Sequence, residues 1–215
     1  MQAQDRDPPI ARAFAALPDI ITSAAFWCAW IAPGTLGYPR VRDLMLLMLI
    51  EFIVMHSGGF TAAIFGMENI SRTKRALFLA GLTAFYMVFV LGFSLAFDSI
   101  WPIWGFLWLF VSRFLLLFTS SAETPTKMRR MLVAWVVSAL AYLSGAVFTA
   151  FVPLPSLGIT PEAIENLHLS GSGLWIEQPW TVLAFGALYF ALLAYAKIKP
   201  SVVTIVEAPA GKSAP

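Results

Sequence analysis

The sequence predicts an all-α, polytopic integral membrane protein, and three observations carry that prediction. The 215-residue chain is 59% hydrophobic and only 12% charged, where a soluble domain carries about 25% charged residues. Mean hydropathy is +0.78, so a water-soluble fold would leave a large apolar surface exposed. The apolar residues also fall in six long runs, each near the roughly 20 residues that a spanning helix needs. Lipid offers no partner for free backbone groups, which leaves helices or a closed β-barrel. Unbroken apolar runs without polar–apolar alternation exclude the barrel.

The expected spans are 18–36, 41–65, 76–97, 100–120, 131–152 and 180–198, forming one helical bundle. The first is interrupted by Pro33 and Gly34, and the count falls to five if it does not cross. Residues 1–17 form a cytoplasmic N-terminal segment whose Asp5, Asp7, Pro8 and Pro9 make a poor cleavable signal peptide. Ser99 and Pro102 punctuate the fourth span, and Gln178-Pro179 opens the sixth. Residues 153–179 form an outer loop, and 200–215 a loose cytoplasmic tail.

Basic residues orient the chain. Arg72, Lys74 and Arg75 follow the second span, Lys127, Arg129 and Arg130 follow the fourth, and Lys197, Lys199 and Lys212 follow the last. The intervening loops lack them, which places both termini in the cytoplasm; Arg40 and Arg42 are the exception, on the outer side. The expected location is a bacterial inner (plasma) membrane. Net charge is +2 and the basic residues are scattered in small groups, so no nucleic-acid partner is implied. Cys28 is the single cysteine, which excludes an internal disulfide.

The polar residues inside the spans carry the functional question. Glu51 shares its side of the second span with Gly58, Gly59, Ala62 and Gly66, small residues that let another helix approach. It is therefore expected to face the bundle interior, where a carboxylate costs a few kcal/mol unless compensated. Arg113 in the fourth span points roughly 150° away from the Trp101, Trp104 and Trp108 stripe. The tryptophans are read as facing lipid or its interface, and Arg113 as facing inward. Glu51 and Arg113 would differ in depth by roughly 8 Å, within reach of two long side chains if the helices are neighbours. His56 lies about 140° around the helix from Glu51 and roughly 7.5 Å along it, so the two do not share a face. The three residues together form the expected intramembrane polar site. Asp19 and Asp43, near span ends, are read as interfacial anchors or caps.

In the outer loop, Thr160 and Pro161 open a short helix with an acidic first turn. Glu162, Glu165 and His168 fall on or near one side of it and make a candidate outer cation site. Glu51, His56, Glu165 and His168 are the candidate metal ligands. Two histidines allow at most one bis-histidine haem, and no cofactor is strongly implied. Ser172 in "HLSGSGLW" is read as part of a turn rather than a nucleophile, since no base is positioned for it. Partners are the bilayer and, for so small a protein, a second copy or another membrane protein. The leading expectation is a small transporter, channel or permeation subunit. The alternatives are a metal- or haem-binding membrane enzyme and a non-catalytic assembly subunit.

Overall fold

The computed structural model describes residues 9–67, 70–119 and 125–199; the side chains of 112–119, 125–131, 133 and 134 lie outside that description. Within it the chain is helical and has no strand. The long helices are α1 (Pro9–Ile31), α3 (Tyr38–Gly66), α4 (Arg72–Ala96), α5 (Trp101–Thr119), α6 (Pro125–Phe151) and α9 (Pro179–Ile198). Short helices α2 (Pro33–Leu36), α7 (Pro161–Asn166) and α8 (Leu174–Glu177) lie in the connections. By length and composition α1, α3, α4 and α9 can each cross a bilayer, and the described apolar parts of α5 and α6 are Trp101–Val111 and Trp135–Phe151. The protein is an all-α integral membrane protein.

Five of the six apolar runs coincide with helices to within a few residues. The sixth differs. The helix holding the first run starts at Pro9, not Pro18, and passes through Pro18. The physical reason is partnership: α1 packs along α9 from its first turns, with Arg12 Nη1 donating to Ile198 O at 3.2 Å and Ala16 fully buried. The run also ends earlier, at Ile31, and residues 33–36 form the separate turn of α2. Gly37, at φ +83°, then reverses the chain into α3, a conformation that favours glycine.

α9 is the centre of the bundle. It packs on α1, α6 and α3, with α8 against its start. The α1–α9 pair is antiparallel, since Arg12 meets Ile198, Ser23 donates to Ala187 O at 2.8 Å and Phe26 stacks on Phe190. A β-carbon on Gly186 would lie 2.4 Å from the Phe26 ring, so glycine is what lets the two helices close, as small residues do in lipid. α6 adds a lattice of rings, with Tyr142 edge-on to Phe185 and Tyr189. α3 then joins this half to α4 and α5 through Leu46, Ile50, Ile53, Tyr86, Val90 and Phe106.

The ends of the bundle differ in charge. The start of α1, the α3–α4 connection and the end of α9 lie together and carry Arg12, Arg72, Lys74, Arg75, Lys197 and Lys199. The opposite end carries the connection between α6 and α9, with Glu162, Glu165 and Glu177. That loop is pinned to α1 by Trp30 Nε1 donating to Pro155 O at 3.0 Å and Gly158 N donating to Trp30 O at 3.1 Å.

Candidate functional site

Glu51 sits in the middle of α3, and its carboxylate is directed toward α9. Tyr189 Oη donates to Glu51 Oε1 at 3.0 Å. Gly59 receives the Trp135 ring of α6, at 2.4 Å from where a β-carbon would stand. Helix α3 takes two further hydrogen bonds on this side: Tyr142 Oη donates to Met48 O at 2.7 Å, and Trp135 Nε1 donates to Met55 O at 2.7 Å. The Tyr142 and Tyr189 rings meet edge to face at 5.3 Å. Glu51 therefore stands where α3, α6 and α9 converge, bonded to Tyr189 of α9, while Tyr142 and Trp135 of α6 bond the α3 backbone on either side of it.

A charged pair joins the same central helix to α1. Lys197 Nζ of α9 bonds to Asp19 Oδ2 of α1. Asp19 was expected to be an anchor at a span end. Because α1 begins nine residues earlier, Asp19 falls inside the helix instead and is only 8% exposed. The pair lies within electrostatic reach of Glu51. Asp43 fits the anchoring role: its Oδ1 is exposed and accepts from Trp101 Nε1 at 3.0 Å, tying α3 to α5.

The remaining expected site residues are dispersed. Arg113 belongs to the backbone of α5, and its side chain lies outside the described residues; so does the expected contact with Glu51. The α5 stripe is as expected at two positions, with Trp104 66% and Trp108 75% exposed. His56 lies between Phe52 and Phe60, tilted to both rings, with centroids at 4.4 and 6.4 Å. Its Nδ1 is buried and has no hydrogen-bond partner among the described residues. Glu162, Glu165 and His168 are exposed on or just after α7, whose Thr160 cap accepts from Ala163 N at 3.2 Å. His168 has φ +47°. The four candidate metal ligands thus divide between mid-bundle and outer surface. Among the described residues no group of three or more His, Cys, Asp or Glu could hold a metal ion.

Tyr142, Tyr189 and Lys197 are the site residues that the sequence reading passed over. A signal for the tyrosines existed. A phenol in an apolar span needs a hydrogen-bond partner when buried, so each hydroxyl marks an inward face as surely as a charge does. For Lys197 no comparable signal existed, because a lysine at a span end is ordinary.

Compared with known proteins, the chain matches no protein-family model, no curated protein and no solved structure.

Proposed function

We propose that this is a small permeation protein, a transporter or channel, in which Glu51 binds the permeating cation or proton inside the bundle. The observation that carries the reading is the convergence of Glu51 and Tyr189 at mid-bundle, with Asp19–Lys197 nearby on α1 and α9. Ionisable groups are expensive in a membrane interior and are kept mainly where they hold or relay ions. Among the described residues the Glu51 carboxylate accepts from one phenol, that of Tyr189, at Oε1. The acidic outer end supports the same reading by drawing cations toward the entrance.

The reading places the chain in a bacterial inner membrane with the basic end in the cytoplasm. The grouping of Arg12, Arg72, Lys74, Arg75, Lys197 and Lys199 at one end supports that orientation.

The test is flux. Full-length protein is reconstituted into liposomes holding a pH-sensitive dye, and proton and alkali-cation movement are followed under an imposed potential. Glu51→Gln keeps the side chain's shape and its ability to accept from Tyr189. Flux by the parent, reduced at least tenfold in a folded Glu51→Gln protein, supports the proposal. Absence of flux for protons and for each alkali cation, or flux indifferent to Glu51→Gln, overturns it.

A further inference from the structure

Charged groups continue from Glu51 toward one end of the bundle and stop toward the other. On the side of the acidic end, rings fill the space next to Glu51. Tyr142 commits its hydroxyl to Met48 O, about one turn away on α3, and Phe185 packs edge-on against the Tyr142 ring at 4.7 Å. Trp175 of α8 lies beyond Phe185, with centroids 6.1 Å apart, and Leu167 is fully buried in the same cluster.

Toward the basic end the lining changes. Ser23 Oγ donates to Ala187 O at 2.8 Å, which puts these residues of α1 and α9 at one level. From that level, Asp19 lies one turn along α1 and Tyr189 half a turn along α9, both toward the basic end. By helix rise, Asp19 stands about 3 Å nearer that end than Tyr189, the residue bonded to Glu51. Asp19 is 8% exposed, and its carboxylate meets the ammonium of Lys197, a side chain 44% exposed. Both lie within electrostatic reach of Glu51. Among the described residues the charged groups along this seam are Asp19 from α1, Lys197 from α9 and Glu51 from α3, with the phenols of Tyr142 and Tyr189 beside Glu51. One partner of the pair is shut in near Glu51, and the other stands open at the basic end.

We infer that Asp19 is a second carboxylate on the path of the ion that Glu51 binds, joining Glu51 to the basic end, with the Lys197 ammonium as its removable counter-ion. The inference rests on the permeation reading of Glu51. A buried carboxylate needs a positive charge beside it. Lys197 supplies that charge while the path is empty, and its flexible four-carbon stem lets it swing out when the ion takes its place. The exchange conserves charge when the arriving ion carries one positive charge, so the path takes a proton or an alkali cation. Lys197 stays protonated throughout, and the ion leaves to water as the ammonium returns. A mere staple between α1 and α9 would stabilise the fold and leave the concentration dependence of flux unchanged, which separates the two roles.

Liposome flux of the full-length protein, driven by proton, sodium or potassium gradients over a range of concentrations, tests this. Asp19→Asn keeps the shape of the side chain and its ability to accept from Lys197, and should lower the maximal rate at least tenfold. Lys197→Gln removes the competing ammonium. The half-saturating concentration should then fall at least threefold, which for protons is a rise of about 0.5 in the pH of half-maximal rate, with the maximal rate within twofold of the parent. The double variant should match Asp19→Asn alone. If Asp19→Asn does not fold, Lys197→Gln decides, since it alters the exposed partner and leaves the carboxylate in place. Flux that needs Glu51 but is unchanged in Asp19→Asn, or a half-saturation unchanged in Lys197→Gln, overturns this inference and leaves the Glu51 reading standing. Absence of flux by the parent overturns both.

Discussion

α4 and α9 are both apolar through their middle turns, yet they live in different surroundings. α4 is the more hydrophobic, with a mean hydropathy of 2.2 over its best window against 1.7 for α9. It is also the less buried, 17% of that window against 56%. Leu77, Val88 and Leu95 stand on its outer surface, 74%, 68% and 83% exposed. In water the order would be reversed. In lipid, hydrophobicity does not choose the inside, because a leucine is as well solvated by acyl chains as by a neighbouring helix. Close approach and hydrogen bonding choose it. α9 has Gly186 against Phe26, Tyr189 on Glu51 and Lys197 on Asp19. α4 has glycines too, but Gly81 and Gly92 have nothing within 4 Å of where a β-carbon would stand.

This contrast can be broken most severely at the two sets of glycines. Gly186→Leu should prevent α1 from seating on α9 and cost about 3 kcal/mol, seen as loss of folded protein from membranes. Gly81→Leu on α4 should change the detergent melting curve by less than about 0.5 kcal/mol. Equal damage at the two positions would show that α4 is packed as α9 is.

Tyr189→Phe comes next. It strips Glu51 of its donor and should cost about 1–3 kcal/mol. Adding Glu51→Leu should return much of that loss, a coupling that a double-mutant cycle in thermal stability measures directly. Additive losses would mean that the Tyr189–Glu51 bond contributes little. Trp135→Phe removes the bond to Met55 O while keeping an aromatic ring. It should cost about 1 kcal/mol or less, in line with hydrogen bonds between helices in membranes. Smallest of all, Lys197→Gln acts at a side chain 44% exposed, and its effect should be below about 1 kcal/mol and shrink as salt rises. A larger loss would mean that removing Lys197 leaves the buried Asp19 carboxylate, 8% exposed, uncompensated.

The fold class was legible in the sequence because composition alone determines which solvent the chain can tolerate. Helix positions were legible for the same reason, since charged and proline-containing stretches mark where the solvent changes. The pairing of helices was not. A span apolar on every side shows no stripe, so nothing in α9 announces that it is central while α4 is peripheral. Glu51 could be found, because a carboxylate in a greasy run is a local anomaly. Its partner on α9 could not, since Tyr189 lies 138 residues away. Asp19 was misread because its apparent place at a span end depended on Pro18 being a helix start. That proline instead lies inside α1, where Thr22 Oγ1 donates to its carbonyl at 2.8 Å.

The antiparallel seam between α1 and α9 has a consequence for biosynthesis. More than a hundred residues are translated after α1 before its partner emerges, and the bond from Ser23 to Ala187 spans 164 positions. During that interval Asp19, Ser23 and the Phe26 ring must wait in the bilayer, or at the insertion machinery, without the groups that complete them. Helices joined by short connections, such as α3 with α4, can assemble as soon as they are inserted. The centre of the finished molecule is thus the last part to form, and a ribosome that stalls before α9 leaves behind the α3–α4–α5 packing of Leu46, Tyr86 and Phe106 without the helix on which α1 seats.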